Sequence, residues 1–206
     1  MCALVWFDDG RALMNVVSGS PGHVADAKAT LTLAFCDDPT VRWLYSRPGK
    51  FAEAFPGMRD ALAGSGFEDG SFDVTNDGAG AATWLRPGVH SDENAFGTVI
   101  EEFDPDIKDE AIEFLDQMDS FQPTEDHWYL PLIGVEPGRR GQGYGGSLLA
   151  HGLRRCDAEH KSAYLTSTNP RNIRLYERHG FRKLGEVQVG SSPVLTPMLR
   201  PAQDPR

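Results

Sequence analysis

At 206 residues the chain is long enough to bury a full core, and its 40% hydrophobic content is that of an ordinary globular domain. A net charge of −10 without a basic stripe argues against nucleic acid as a partner, since phosphates must be neutralised by Lys and Arg. No apolar run approaches the roughly 18 residues that cross a membrane, and the opening segment carries two aspartates and no basic region. Cys2, Cys36 and Cys156 lie far apart, odd in number and outside metal-ligand spacing. The expectation is a cytoplasmic protein with free thiols, no bound metal and no membrane partner.

In chain order, "ALVWF" and "RALMNVV" flank Asp8-Asp9-Gly10 and read as a hairpin. Ser20-Pro21 caps a helix with Val24, Ala27, Leu31 and Phe35 on one face, ending before Asp38-Pro39. A second helix spans about residues 51–63 and is closed by Gly64-Ser65-Gly66. "SFDVT" and "AATWL" are strands around the Asn76-Asp77-Gly78 turn.

From about residue 88 to 121 the pattern turns helical, with Phe96, Val99, Ile100 and Phe103 on one stripe and Ile107, Ala111, Phe114, Leu115 and Met118 on another. Residues 91–121 hold eleven Asp or Glu against Lys108 alone. Such a run is either a solvated face or an attraction for cationic partners.

"HWYLPLIGV" reads as a central strand, followed by the glycine-rich "EPGRRGQGYGG" and a helix marked by Leu148, Leu149, Leu153 and Cys156. "SAYLTST" is a strand and "PRNIRLYERHG" a helix from Pro170 to Gly180. "FRKLGEVQV" and "SPVLTPML" close the chain as two strands. Interspersed strands and helices predict a three-layer domain of α/β or α+β class.

The glycines invite three phosphate ligands. Gly141-x-Gly143-x-x-Gly146 satisfies the dinucleotide fingerprint, but five residues separate it from its strand. The next strand ends in Thr166 and Ser167 rather than a ribose-binding carboxylate. A nucleotide-triphosphate loop would need Gly-Lys-Ser/Thr, which is lacking. Arg140-x-x-Gly143-x-Gly145, after a strand ending in Ile133-Gly134-Val135 and a Pro-containing turn, resembles the pyrophosphate motif of the GNAT superfamily of N-acyltransferases. Asn169-Pro-Arg-Asn-Ile-Arg-Leu-Tyr176-Glu-Arg-His-Gly180-Phe181 resembles that family's downstream block. The two blocks together look most like the puromycin N-acetyltransferase-like branch, specifically over about residues 127–181.

The resemblance implies one GNAT domain over residues 1–206 with a helical insertion at about 88–121. Its sheet would be mixed but mostly antiparallel, flanked by helices and splayed between the fourth and fifth strands, with acetyl-CoA in the gap. It implies that Ile133, Gly134 and Val135 pair with the pantetheine amides, and that Arg140, Gly141, Gln142, Gly143, Tyr144, Gly145 and Gly146 hold the pyrophosphate through helix-terminal amides. Asn169 and Asn172 complete the cofactor contacts, and no metal takes part.

Tyr176 is the implied general acid, a phenol able to protonate the departing thiolate. The expected reaction is direct attack of a small-molecule primary amine on the thioester. An alkylammonium must first lose its proton, at a cost of about 4 kcal/mol at pH 7. Family members that carry a glutamate on the strand after the glycine-loop helix have their base there, whereas this chain has Thr166. Glu125, Asp126 and His127 before the central strand, and Glu101 and Glu102 in the acidic insertion, are weighed as bases, and none is assigned. Trp43, Tyr45, Trp84, Trp128 and Tyr129 offer aromatic surface for an acceptor. Monomer and homodimer are both compatible with the fold. The alternative is a non-catalytic module that binds or senses acyl-CoA, which the loss of the glutamate favours and Tyr176 opposes.

Overall fold

The computed structural model of the protein describes residues 14–204. Among these residues seven strands form one sheet in the order β1-β2-β3-β4-β5-β7-β6. They are β1 (Val16–Ser18), β2 (Phe72–Thr75), β3 (Gly80–Leu85), β4 (His127–Val135), β5 (Ser162–Ser167), β6 (Arg182–Lys183) and β7 (Thr196–Arg200). Every pairing is antiparallel except β4 with β5. The central strand has the bounds that its hydrophobic pattern predicts. The hairpin expected around Asp8-Asp9-Gly10 lies largely outside the described residues; of its second strand, Val16 and Val17 fall in β1, which pairs with β2.

Two layers of helix cover the sheet. On one face α1 (Val24–Ala34) and α3 (Lys50–Glu68) bury Ala27, Leu31, Ala63 and Phe67 against Phe72, Val74, Ala81 and Leu132. On the other, α6 (Tyr144–Ala158) sets Leu148, Leu149, Leu153 and Cys156 against Trp84, Trp128, Leu130 and Leu165. Asp73, fully buried between strand and α6, accepts from Arg155 Nη2 at 2.6 Å and lies 3.0 Å from His151 Nδ1. Arg200 of β7 ties α6 to the sheet through a two-point pair with Asp157, at 2.6 and 3.0 Å, and donates to the His179 carbonyl.

Three elements depart from the sequence expectation. Asp38-Pro39, expected only to end the first helix, also starts α2 (Pro39–Leu44). Pro39 takes the first helical position, and Asp38 Oδ1 accepts from the amides of Thr40 and Val41 at 3.0 and 3.1 Å. Second, α3 does not stop at residue 63 but runs five residues further, through Gly64 and Gly66. A Cβ on Gly66 would lie 2.6 Å from the Trp84 carbonyl oxygen, so this glycine serves close helix–sheet approach. Gly64 has open space around it. Third, the two closing strands are short. Val187 and Leu195 make a single bridge, and with Val189 they turn inward onto Phe114 instead of alternating along a ladder.

The acidic segment folds as α4 (Glu93–Glu101) and α5 (Lys108–Asp119). Val99, Phe103 and Ala111 pack against α2 and α3, whereas Phe114 joins Val187, Val189 and Leu195 before β7. Glu110 accepts from both the amide and the hydroxyl of Ser191, which binds α5 to that loop.

The two α3 glycines give opposite predictions. Gly64→Ala replaces a flexible residue in an unobstructed helical site and raises stability by about 0.5–1 kcal/mol. Gly66→Ala forces helix and sheet apart and lowers it by about 1–3 kcal/mol. Urea denaturation of both variants checks this, and a helix ending at residue 63 would leave Gly64→Ala without its gain.

Candidate active site

The site begins with a fault in the sheet. β4 and β5 are in parallel register only at His127–Ser162, Trp128–Ala163 and Tyr129–Tyr164. On the other side of β4 the register shifts. Between Thr83↔Leu132 and Leu85↔Tyr129, the single residue Trp84 of β3 faces Leu130 and Pro131 of β4, a β-bulge. Pro131 has no N–H to give a neighbour where the pairing with β5 stops. The extra residue also exchanges faces. Before it Trp128 and Leu130 point into the α6 core; after it Ile133 and Val135 pack on that side.

Beyond the bulge β4 pairs, among the described residues, with β3 alone. Glu136 donates its amide to Ala79 O at 2.9 Å. Because amides alternate along a strand, those of Ile133 and Val135 point away from β3, into the gap beside β5. Gly134 points its α-carbon at α1, where a Cβ would sit 2.6 Å from that of Ala34. The cleft between the parted strands is lined by Ile133 and Val135 on one wall and Leu165, Thr166, Thr168 and Asn169 on the other.

At its mouth lies the glycine loop. Gly141 and Gly143 have φ of +76° and +95°, conformations that only glycine adopts readily, and no described residue stands where their Cβ atoms would be. Gly143 is the N-cap of α6 and offers no side chain to the helix, so the first-turn amides of Tyr144, Gly145 and Gly146 face the cleft uncapped. Gly145 has a packing reason too, because a Cβ there would lie 3.3 Å from Leu175. Exposed Arg139, Arg140, Arg154, Arg171 and Arg178 line the same opening. Within a chain of net charge −10 this is a local basic mouth suited to a polyanion. Only the first two arginines stand out in the sequence; the others come together through the packing of α6 beside α7 (Ile173–Arg178).

Several side chains are engaged differently from the sequence expectation. Arg140 grips Asp37 at two points, at 2.6 and 2.7 Å, and donates to Ala34 O at 2.8 Å. Its hydrogen bonds hold the Asp37 carboxyl below the usual carboxylate range. Tyr144 is buried and donates to Asp77 Oδ2 at 2.6 Å, so only its backbone faces the opening. Gln142 Nε2 closes the loop on Gly138 O at 3.2 Å. Asn169 Oδ1 accepts from the Arg171 amide, and exposed Asn172 lies at the cleft before α7.

Tyr176 sits on α7 at the base of the cleft, 5% exposed and edge-on to Phe181. Burial, then the charge of Asp38, push its phenol well above its ordinary range. Asp38 is a cleft residue that sequence reasoning missed: the residue is 8% exposed and its carboxylate accepts from Thr168 Oγ1 at 2.5 Å. Burial raises its carboxyl.

Of the aromatic residues expected to face an acceptor, Trp84, Trp128 and Tyr45 are wholly buried in the cores. Trp43 donates to Ser191 Oγ at 3.0 Å, and half-buried Tyr129 packs on Tyr164. The carboxylates first considered as bases lie elsewhere. Glu101 and Glu102 pair with Lys108 and Lys50, and Glu125 and Asp126 stand exposed at the closed end of β4.

Neither Cys36 nor Cys156 lines the cleft. Cys156 is wholly buried, and burial pushes its thiol up to about 12, whereas Cys36 is half-buried. In native protein at pH 8, iodoacetamide is expected to label Cys36 and to reach Cys156 only after denaturation, as read by peptide mass mapping. Labelling of both at similar rates would contradict the packing of α6.

The arrangement has counterparts among known proteins. An uncharacterised N-acetyltransferase of Schizosaccharomyces pombe is 27% identical over 176 residues, covering 75% of this chain and 69% of that protein. A Corynebacterium glutamicum structure described as histone acetyltransferase HPA2 and related acetyltransferase is 25% identical, with a TM-score of 0.64 over 93% of this chain and 98% of that one. The Drosophila melanogaster polyamine N-acetyltransferase shares the fold at 12% identity, with a TM-score of 0.64 over 91% and 99% of the two chains. The Acetyltransferase (GNAT) family matches residues 62–181, which hold the bulge, the parted strands, the glycine loop and Tyr176. With more than half of its length so matched and the fold in agreement, the chain belongs to the acetyltransferase (GNAT) family.

Proposed function

We propose that the protein transfers the acetyl group of acetyl-CoA to a primary amine of a small molecule by direct attack on the thioester. The observation that carries this reading is the coincidence, in one cleft, of unpaired β4 amides, an uncapped helix N-terminus and a buried phenol. The residues present suit the donor. The amides of Ile133 and Val135 offer an edge to which the pantetheine amides add like a strand. Gly141, Gly143, Gly145 and Gly146 let phosphates approach the backbone at the positive end of α6. Arg139 and Arg171 lie free of ion pairs with described residues at the mouth, and Arg140 would share its guanidinium between Asp37 and a phosphate.

A backbone N–H of the Ile133–Val135 segment would meet the oxyanion that forms as nitrogen attacks the carbonyl carbon. Tyr176 then gives its proton to the thiolate as the C–S bond breaks. Burial keeps its phenol protonated through the neutral range, and the same burial raises the basicity of the sulfur. The attack is direct, without an acyl-enzyme, and neither of the described cysteines, Cys36 and Cys156, lines the cleft.

The acidic α4 and α5 suit an acceptor that carries positive charge. The whole chain is taken as one domain of the puromycin N-acetyltransferase-like branch, in which residues 88–121 are a helical insertion. The second reading, an acyl-CoA-binding module without turnover, rests on Thr166 at the position of a frequent family glutamate.

Release of free thiol from acetyl-CoA, measured over a panel of primary amines, separates the two. Amine-stimulated release is expected; saturable CoA binding without it would establish the module instead. Tyr176→Phe should lower kcat by about 100-fold or more and leave acetyl-CoA affinity within about twofold. An unchanged kcat would remove the phenol from the mechanism.

A further inference from the structure

We propose that Thr168 and Asp38 form the proton relay that serves as the base for the attacking amine, with Thr168 touching the nitrogen and Asp38 acting through it. This rests on the acetyltransferase reading and fills the role left open by Thr166. The two Asp38 oxygens have separate partners. Oδ1 takes the amides of Thr40 and Val41, which fixes the carboxylate at the start of α2, whereas Oδ2 takes only the hydroxyl of Thr168 at 2.5 Å. Thr168 follows the end of β5 and lines the cleft together with Asp38, Asn169 and Tyr176. Donation to Asp38 leaves the lone pairs of Thr168 Oγ1 for a proton arriving from the cleft.

The charges around Asp38 preserve its basicity. Arg140, the nearby cation, is turned onto Asp37 at two points, and Asp38 itself makes no salt bridge with a described residue. Burial raises the Asp38 carboxyl most, the hydrogen bonds from Thr168, Val41 and Thr40 lower it in part, and the like charge of Asp37 adds to the rise; Tyr176 beside it is neutral. A buried Asp that is fixed but not neutralised accepts a proton more readily than a surface one.

The step balances. An ammonium first gives one proton to Thr168 Oγ1 while the hydroxyl proton of Thr168 passes to Asp38 Oδ2, and Asp38 releases it to bulk water before attack. As the C–N bond forms, the nitrogen's next proton takes the same route to Asp38 Oδ2; a neutral amine needs only this second transfer. The C–S bond breaks and the thiolate takes the proton of Tyr176. Return of the Asp38 proton to the Tyr176 oxygen, through water, resets both groups.

The test compares an alkylamine acceptor found in the panel with its β,β,β-trifluorinated analogue, which is largely neutral at pH 7. Asp38→Asn keeps a good helix cap and is expected to lower kcat/KM for the alkylamine by about 100-fold or more, with CoA affinity unchanged. The loss with the fluorinated analogue should be at least tenfold smaller, roughly, because less proton removal is required. Thr168→Val should resemble Asp38→Asn, and Thr168→Ser should recover about tenfold or more over Thr168→Val. Equal losses with both amines, or a parallel fall in CoA affinity, would make Asp38 a cap and nothing more. A rate within about threefold of wild type in Asp38→Asn would also overturn the relay. Wild-type protein without amine-dependent thiol release would overturn the acetyltransferase reading first and the relay with it.

Discussion

Past Tyr129 and Tyr164 the two parallel strands at the middle of the sheet stop sharing hydrogen bonds, and every feature of the cleft is arranged around that break. A buried sheet ordinarily satisfies each backbone amide, since an unpaired one costs about 1–3 kcal/mol. Here the bulge at Leu130 and Pro131 ends the pairing while β4 remains held to β3. The result is a rigid strand edge that is open to solvent and ready for a partner. A loop could offer the same amides, but without the fixed spacing that a strand on a seven-stranded sheet supplies.

Around this break the glycines divide between two kinds of work. Gly66, Gly134 and Gly152 allow close packing; a Cβ on Gly152 would fall within 2.5 Å of the Trp84 indole. Gly141 and Gly143 instead hold left-handed backbone with empty space before them. Packing glycines bring α1, α3 and α6 tightly onto the sheet, and this fixes where α6 begins. Loop glycines leave its first turn bare. The scaffold and the cleft thus depend on the same residue type for opposite reasons, absence of bulk in one and freedom of φ in the other.

Features that depend on local pattern were readable in the chain. The bounds of β4, the helix after the glycine loop and the stripes of α4 and α5 follow from hydrophobic period. The bulge was not, because it is a mismatch of register with β3, a strand about 50 residues away. Gly64-Ser65-Gly66 looks like a helix stop unless the contact of Gly66 with Trp84 is known. Asp38 escaped notice for a related reason. Its sequence signature is that of a cap before proline, and its cleft role depends on Thr168, 130 residues further on. Trp84 and Trp128 show the reverse error, since aromatic bulk alone does not tell a core from a binding wall.

The central claim is that the free edge of β4 receives CoA. Hydrogen exchange at the Ile133 and Val135 amides, resolved residue by residue, tests it most directly. Both should exchange rapidly in the free protein and slow markedly with CoA but not with NAD, while the Gly134 amide, turned toward β3, changes little. Unaltered exchange at Ile133 and Val135 under saturating CoA, or protection by NAD instead, would contradict the account.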